Sequence, residues 1–287
     1  MSKKRIIIAG SVNADVSTRV SRLPGPGETL LASSMTVSGG GKSGNQAVAC
    51  GRLDGDVSLI ARIGDDSYGE MLKENFVGAG VDVSGLSVDQ DYPTGQAFIA
   101  VSDEGENNII VVPGANGRLL PEVIDSYQHL LSGASFLSTQ LEIPLETVER
   151  LAELCRDHDI SFVLNPSPAA SLSSELLSLV SILVLNEHEL DLLAGAGDEE
   201  AQLQRLLDLG IKHVVLTKGG DGVVYMSDSG LQRYAANRVE VVDTTGAGDT
   251  FTGALLVGLS ESLDFPEAIA FAQKAAAIQV TRRGAQD

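Results

Sequence analysis

With 287 residues, 43% of them hydrophobic, the chain has enough apolar content to bury a full core, and one large α/β domain over 1–287 is expected. Its 20 basic and 39 acidic residues give a net charge of −19, which argues against nucleic acid or an anionic membrane as the main partner, so an anionic ligand needs a local site. Cys50 and Cys155 are too few for a disulfide framework, and no run approaches the ~18 apolar residues of a membrane span.

No apolar leader precedes the first strand-like run, so a cytoplasmic location is expected. His129, His158, His188 and His213 are scattered, without the spacing of a helical metal site.

In chain order, the branched run "IIIA" (6–9) reads as a buried parallel strand. It runs into "GSVNAD" (10–15), which lacks the glycine spacing of a dinucleotide fold. There Asn13 and Asp15 combine an amide and a carboxylate suited to neighbouring sugar hydroxyls, and turn formation explains the pair equally well.

Segment 15–36, rich in Pro and Gly, breaks the alternation of strands and helices. "SGGGKSGNQAVA" (38–49) ends like a P-loop at Gly41-Lys42-Ser43, but the glycine that motif requires earlier is Thr36. What remains is a glycine turn before a helix over 45–53.

A second interruption spans 92–112, where "QAFIAV" (96–101) and "NIIVV" (108–112) look like hairpin strands. The two interruptions are expected to form a small β lid.

Further along, 162–164, 182–185 and 214–216 read as strands, with helical patterns over 145–158 and 199–209 between them. This alternation predicts a doubly wound, mostly parallel sheet flanked by helices. Polar groups follow several strands: Gln140-Leu141-Glu142, Asn186-Glu187-His188-Glu189 and Thr217-Lys218-Gly219-Gly220-Asp221-Gly222. Ligands of open α/β sheets bind at such strand ends, although each group taken alone is an ordinary cap or turn.

"VDTTGAGDTF" (242–251) carries the most chemistry. With 240–242 strand-like and a helix over 250–259, the Gly246-Ala247-Gly248 turn would aim backbone N–H groups at an anion. Asp249 beside it could take a proton from a hydroxyl during phosphoryl transfer. The competing reading is a helix cap beside a tight turn.

Taken together and in order, these motifs resemble those of the ribokinase-like sugar kinases over essentially the whole chain. The resemblance implies an ATP-dependent kinase acting on the primary hydroxyl of a pentose, with D-ribose at O5 the leading candidate. A deoxyribose, hexose or nucleoside kinase, or a non-catalytic sugar-binding relative, are the alternatives.

By that resemblance Asp249 is the base, and the amides of Gly246, Ala247 and Gly248 form the anion hole. Asn13, Asp15, Gly41, Lys42, Asn45 and Glu142 match sugar-holding positions. Asn186 and Glu189 match those governing Mg²⁺ and the phosphates, while Thr217, Gly219 and Gly222 match the nucleotide loop. The family implies a potassium ion beside the anion hole, for which Asp243, Thr245, Gln279, Arg282 and Gly284 are the matching positions. It also implies a homodimer formed through the β lid.

The sequence departs from the family in two places. Gly39 replaces a bulkier residue near a turn that reads Ser43-Gly44, and the chain stops at Gly284-Ala285-Gln286-Asp287, where relatives continue through a polar cation ligand and a final helix.

Overall fold

The computed structural model describes residues 3–286; Met1, Ser2 and Asp287, the last of the terminal residues named above, lie outside the described residues. The first branched run forms β1 (Arg5–Ala9). Its side chains alternate between two cores, Ile6 and Ile8 entering one and Ile7 and Ala9 the other. A strand apolar on both faces needs helices on both, and the remaining chain supplies them.

After β1 come β2 (Asn13–Val20), β3 (Ser34–Gly40), α1 (Lys42–Arg52), β4 (Val57–Gly64), α2 (Ser67–Gly78) and β5 (Asp82–Asp89). Then follow β6 (Gly95–Ser102), β7 (Asn107–Val112), α3 (Pro121–Ser126), β8 (Ala134–Thr139), α4 (Leu145–Asp157), β9 (Ser161–Leu164) and α5 (Ser174–Ser178). Next are β10 (Ile182–Asn186), α6 (Glu187–Ala194), α7 (Glu199–Asp208), β11 (His213–Thr217), β12 (Val223–Ser227) and β13 (Gly230–Tyr234). The chain closes with α8 (Ala247–Ser260) and α9 (Phe265–Gln279).

The main sheet has the order β13-β12-β11-β10-β9-β8-β1-β4-β5. Neighbours from β11 to β5 pair in parallel, while β12, near one edge, runs antiparallel to both β11 and β13. One core takes Val48 of α1, Phe76 of α2, Leu255 of α8 and Ile269 of α9. The other takes Ile124, Leu151, Leu176, Leu190 and Leu203 from α3, α4, α5, α6 and α7. This is the expected doubly wound architecture.

From β1 the chain first adds β4 and β5 on one side and later adds β8 and its successors on the other. The switch point therefore lies between β1 and β8, where such folds open a crevice at the strand carboxyl ends.

The two interruptions pair as a separate small sheet in the order β3-β2-β6-β7. Its central pair, β2 and β6, is parallel, and both outer pairs are antiparallel. Phe98, Ile110 and Val112 are exposed on one face of this sheet, and Ile109 and Val111 on the other.

Three boundaries differ from expectation. Helix α1 starts at Lys42, bringing the lysine into its first turn, because Gly41 in a left-handed conformation (φ 78°) ends β3's path abruptly. Residues 240–242 form no strand; Val242 N–H instead donates to Val280 O at 2.7 Å, so the segment lies against the end of α9. Helix α8 starts at Ala247, which puts Asp249 inside its first turn. Among the described residues, no helix is long and apolar enough to cross a membrane.

Candidate active site

The switch point is closed by a side-chain bridge. Ser11, just past β1, donates to Glu142 Oε2 just past β8 at 2.6 Å, and the Lys42 N–H donates to Ser11 Oγ at 3.1 Å. The expected sugar-binding residues gather around this bridge. Asn13 opens β2 and is buried, while Asp15 lies two residues on, on the same face of the strand. Burial, together with the nearby Glu142 and Asp249 charges, pushes the Asp15 carboxyl up to about 7.

Asp249 does not cap α8: the cap residue is Gly246, with no side-chain cap bond. The Asp249 side chain instead crosses to α1, where Asn45 Nδ2 donates to Oδ2 at 2.8 Å and Gln46 Nε2 reaches Oδ1 at 3.4 Å. Burial raises its carboxyl to about 6, against the opposing pull of Lys42 and the two amides. A carboxylate near neutrality, buried and facing a polar crevice, is suited to accept a hydroxyl proton.

Gly246 is left-handed (φ 72°), and a Cβ there would lie 2.7 Å from that of Ala285, so both conformation and space demand glycine. Its turn directs the α8 N-terminus at the cleft. The Ala247 N–H donates to Thr244 O at 3.2 Å, while the helix end as a whole carries the partial positive charge that favours an anion.

Two adjoining cavities meet at this helix end. One, of about 180 Å³, is lined by Lys42, Asn186, Glu189, Gly248 and Asp249. The other, of about 510 Å³, is mostly apolar and takes in Thr217, Gly219, Gly222, Val239, Val241 and Ala276. Thr217, Thr244, Ala247 and Gly248 border both. A polar neck opening into an apolar chamber fits polyphosphate followed by an aromatic base.

Asn186 and Glu189 form a reciprocal capping box at the start of α6. Glu189 is buried, and burial raises its carboxyl despite bonds from the Asn186 N–H and Ser167. Magnesium commonly uses one or two carboxylates with water and phosphate oxygens, and this carboxylate facing the polar neck fits that habit.

The five residues expected at a monovalent cation also cluster. Asp243 accepts from Thr245 N–H at 2.9 Å and from Gly284 N–H at 2.9 Å, while Gln279 donates to Gly284 O. The Arg282 N–H donates to Gln279 O at 2.9 Å. Burial alone would raise the Asp243 carboxyl, but bonds from Thr245 and Gly284 hold it below its usual range. The Asp243 carboxylate and the carbonyl oxygens of Gln279 and Gly284 are the hard oxygen donors of this cluster, and each already accepts a hydrogen bond within it.

Several residues without an assigned role complete the site. Buried Asn116 donates to Asn13 Oδ1 at 2.7 Å and exchanges bonds of 2.9 and 3.0 Å with the Val12 backbone. Gln46 Oε1 accepts from Ser138 at 2.9 Å and Gln140 at 2.8 Å, which turns its amide nitrogen towards Asp249. Gln286 donates to Asn45 Oδ1 at 2.8 Å. Gln46, Gln140 and Gln286 lie inside segments already conspicuous in the sequence, whereas Asn116 follows a plain Pro-Gly turn that carries no signal.

Fold, switch point and cleft together define an α/β enzyme that transfers phosphate to a small molecule. The chain belongs to the pfkB family of carbohydrate kinases, whose model matches residues 3–287. It is 40% identical to a ribokinase of Haemophilus influenzae over 99% of this chain and 94% of that protein. The solved ribokinase of Thermotoga maritima is 36% identical, with a TM-score of 0.93 over 99% of this chain and 95% of that one. The ribokinase of Arabidopsis thaliana, solved with ribose and ATP, is 30% identical, with a TM-score of 0.92 over 99% and 94% of the two chains.

Proposed function

We infer that the protein is an ATP-dependent kinase that phosphorylates the primary hydroxyl of D-ribose, giving ribose 5-phosphate and ADP. The observation that carries this reading is Asp249, a buried carboxylate raised to about 6 and held by Asn45 between the hydroxyl-binding cluster and the α8 N-terminus. Full-length likeness to ribokinases, one of them solved with ribose and ATP, supports the choice of sugar.

Asn13, Asp15, Gly41, Lys42, Asn45 and Glu142 hold the sugar hydroxyls. The base and ribose of ATP occupy the apolar chamber beside Thr217, Gly219 and Gly222, with the phosphates in the polar neck. Asp249 takes the proton of the O5 hydroxyl as that oxygen bonds to the γ-phosphorus; the bond from this phosphorus to the bridging oxygen breaks, and ADP leaves. Amides of Gly246 and Gly248, joined by Ala247 when its N–H leaves Thr244 O, stabilise the charge on the transferring group. Lys42 brings a positive charge into a chain that is otherwise strongly acidic.

Glu189 and Asn186 would hold a magnesium ion, which would supply neutralising charge to the phosphates. Asp243, Thr245, Gln279, Arg282 and Gly284 would hold a potassium ion, which would support the anion-hole turn. The chain acts as one kinase domain in which the small sheet, built from the 15–36 and 92–112 interruptions, serves as a lid. Its exposed Phe98, Ile110 and Val112, which share one face, supply the contact surface of a homodimer. The enzyme works in the cytoplasm, in keeping with the free thiols Cys50 and Cys155 and its use of ATP.

The test is ADP release from Mg-ATP with D-ribose, 2-deoxyribose, hexoses and nucleosides, each with potassium or a bulky inert cation. Ribose should give the highest kcat/KM and require potassium. Faster turnover of another substrate would reassign the sugar, and indifference to the cation would remove the ion from the Asp243 site.

A further inference from the structure

An ionised carboxylate only accepts hydrogen bonds, so an amide facing Asp249 must present its nitrogen. Asn45 does so, and its oxygen then points away, where the Gln286 amide nitrogen meets it at 2.8 Å. This fixes the Gln286 oxygen on the far side, and Asn75 of α2 donates to that oxygen in turn. The result is a one-way file of donors, Asn75 to Gln286 to Asn45 to Asp249, in which each amide sets the orientation of the next.

The file is well enclosed. Gln286 and Asn45 are both buried, and no buried polar side-chain atom among the described residues lacks a partner. Space for it comes from β3, since a Cβ on Gly39 would lie 2.3 Å from Gln286 Oε1 and 2.9 Å from Asn75 Nδ2. The absence of a side chain at Gly39 therefore matches the seat of the Gln286–Asn75 pair.

We propose that Gln286 is a positioning residue, which with Asn75 behind it locks the Asn45 amide so that its N–H faces the catalytic carboxylate. The inference rests on the reading of Asp249 as the base. Bonds passed along such a file reinforce one another and favour the charged form of the final acceptor. Lys42 on α1 acts in the same direction, while Glu142 beyond β8 and Asp15 on β2 act against it.

The test is the pH profile of kcat/KM for the full chain at saturating potassium, in wild type, Gln286→Met and Asn75→Asp. Methionine fills the glutamine's volume but leaves Asn45 free to turn its oxygen towards Asp249. The aspartate, an acceptor only, forces Gln286 to reverse and transmits the change from a helix remote from the base. Both variants should move the acid limb upward by about one pH unit while keeping most of the alkaline plateau.

A limb that stays at the wild-type midpoint in both variants, even with lowered melting temperatures, would reduce Gln286 to a packing residue and overturn the proposal. If Gln286→Met does not fold, Asn75→Asp decides alone. Asp249→Asn separates the two layers of the argument: a vigorous Asp249→Asn enzyme defeats the base assignment, whereas an inactive one with unshifted file variants defeats only the file.

Discussion

Asn45 on α1 and Asp249 on α8 are joined by a 2.8 Å hydrogen bond across the crevice, linking the helix that follows the Gly41 turn to the helix that follows the Gly246 turn. The bond holds the carboxylate where an incoming hydroxyl can reach it, so chemistry and positioning separate cleanly by mutation. Asp249→Asn keeps the shape and loses the base. Turnover should fall ~10²–10⁴-fold while calorimetry still detects the sugar; near-normal turnover would remove Asp249 from the role.

The pH dependence follows from burial. With its carboxyl raised to about 6, Asp249 is ionised and competent above that value and protonated below it, so kcat/KM should climb through about pH 6. An acid limb near the ordinary carboxylate range would contradict this.

Asp15 gives the matching stability prediction. Its carboxyl is raised to about 7, so its contribution to folding is present below the ordinary carboxylate range and is lost as pH rises through about 7. Asp15→Asn should therefore melt several degrees above wild type at pH 8 and close to it at pH 4, while using ribose poorly. Equal melting temperatures at pH 8 would mean that Asp15 ionises without penalty.

Asn116 was invisible in the sequence, yet it fixes Asn13 and the Val12 backbone through three hydrogen bonds. Asn116→Ala strips these from a buried site, each loss costing about 1–3 kcal/mol. The ribose KM should rise at least tenfold with the ATP KM little changed; an effect confined to ATP would misplace the sugar.

The difference between Asp249 and Asn116 shows how far residue pattern reached. Alternating Ile6, Ile7 and Ile8 announced a doubly wound sheet, and the glycine-rich turn drew attention to Asp249, because periodicity and local turn chemistry carry that information. What Asn116, Gln46, Gln140 and Gln286 do depends on contacts across large sequence separations, and an isolated amide gives no periodic signal. Val241 misled for a related reason. The branched residues here suggested a strand, but Val239 and Val241 are exposed and wall the apolar chamber beside α9.

Gly246 offers a steric test of the anion-hole turn. Gly246→Ala forces a methyl towards Ala285 and a side chain into a left-handed conformation. Loss of preorganised donors should cut kcat ~10²–10³-fold, with the ribose dissociation constant close to wild type. An unchanged kcat would show that the turn does not face the transferring phosphate.

The most direct test of the central claim is to identify the product by phosphorus and carbon NMR after incubation with Mg-ATP, potassium and D-ribose. The account predicts one ADP per sugar and phosphate on O5 alone, with both products formed ~10²–10⁴-fold more slowly by Asp249→Asn. Phosphate on another hydroxyl, or ADP accumulating without phosphorylated ribose, would contradict it.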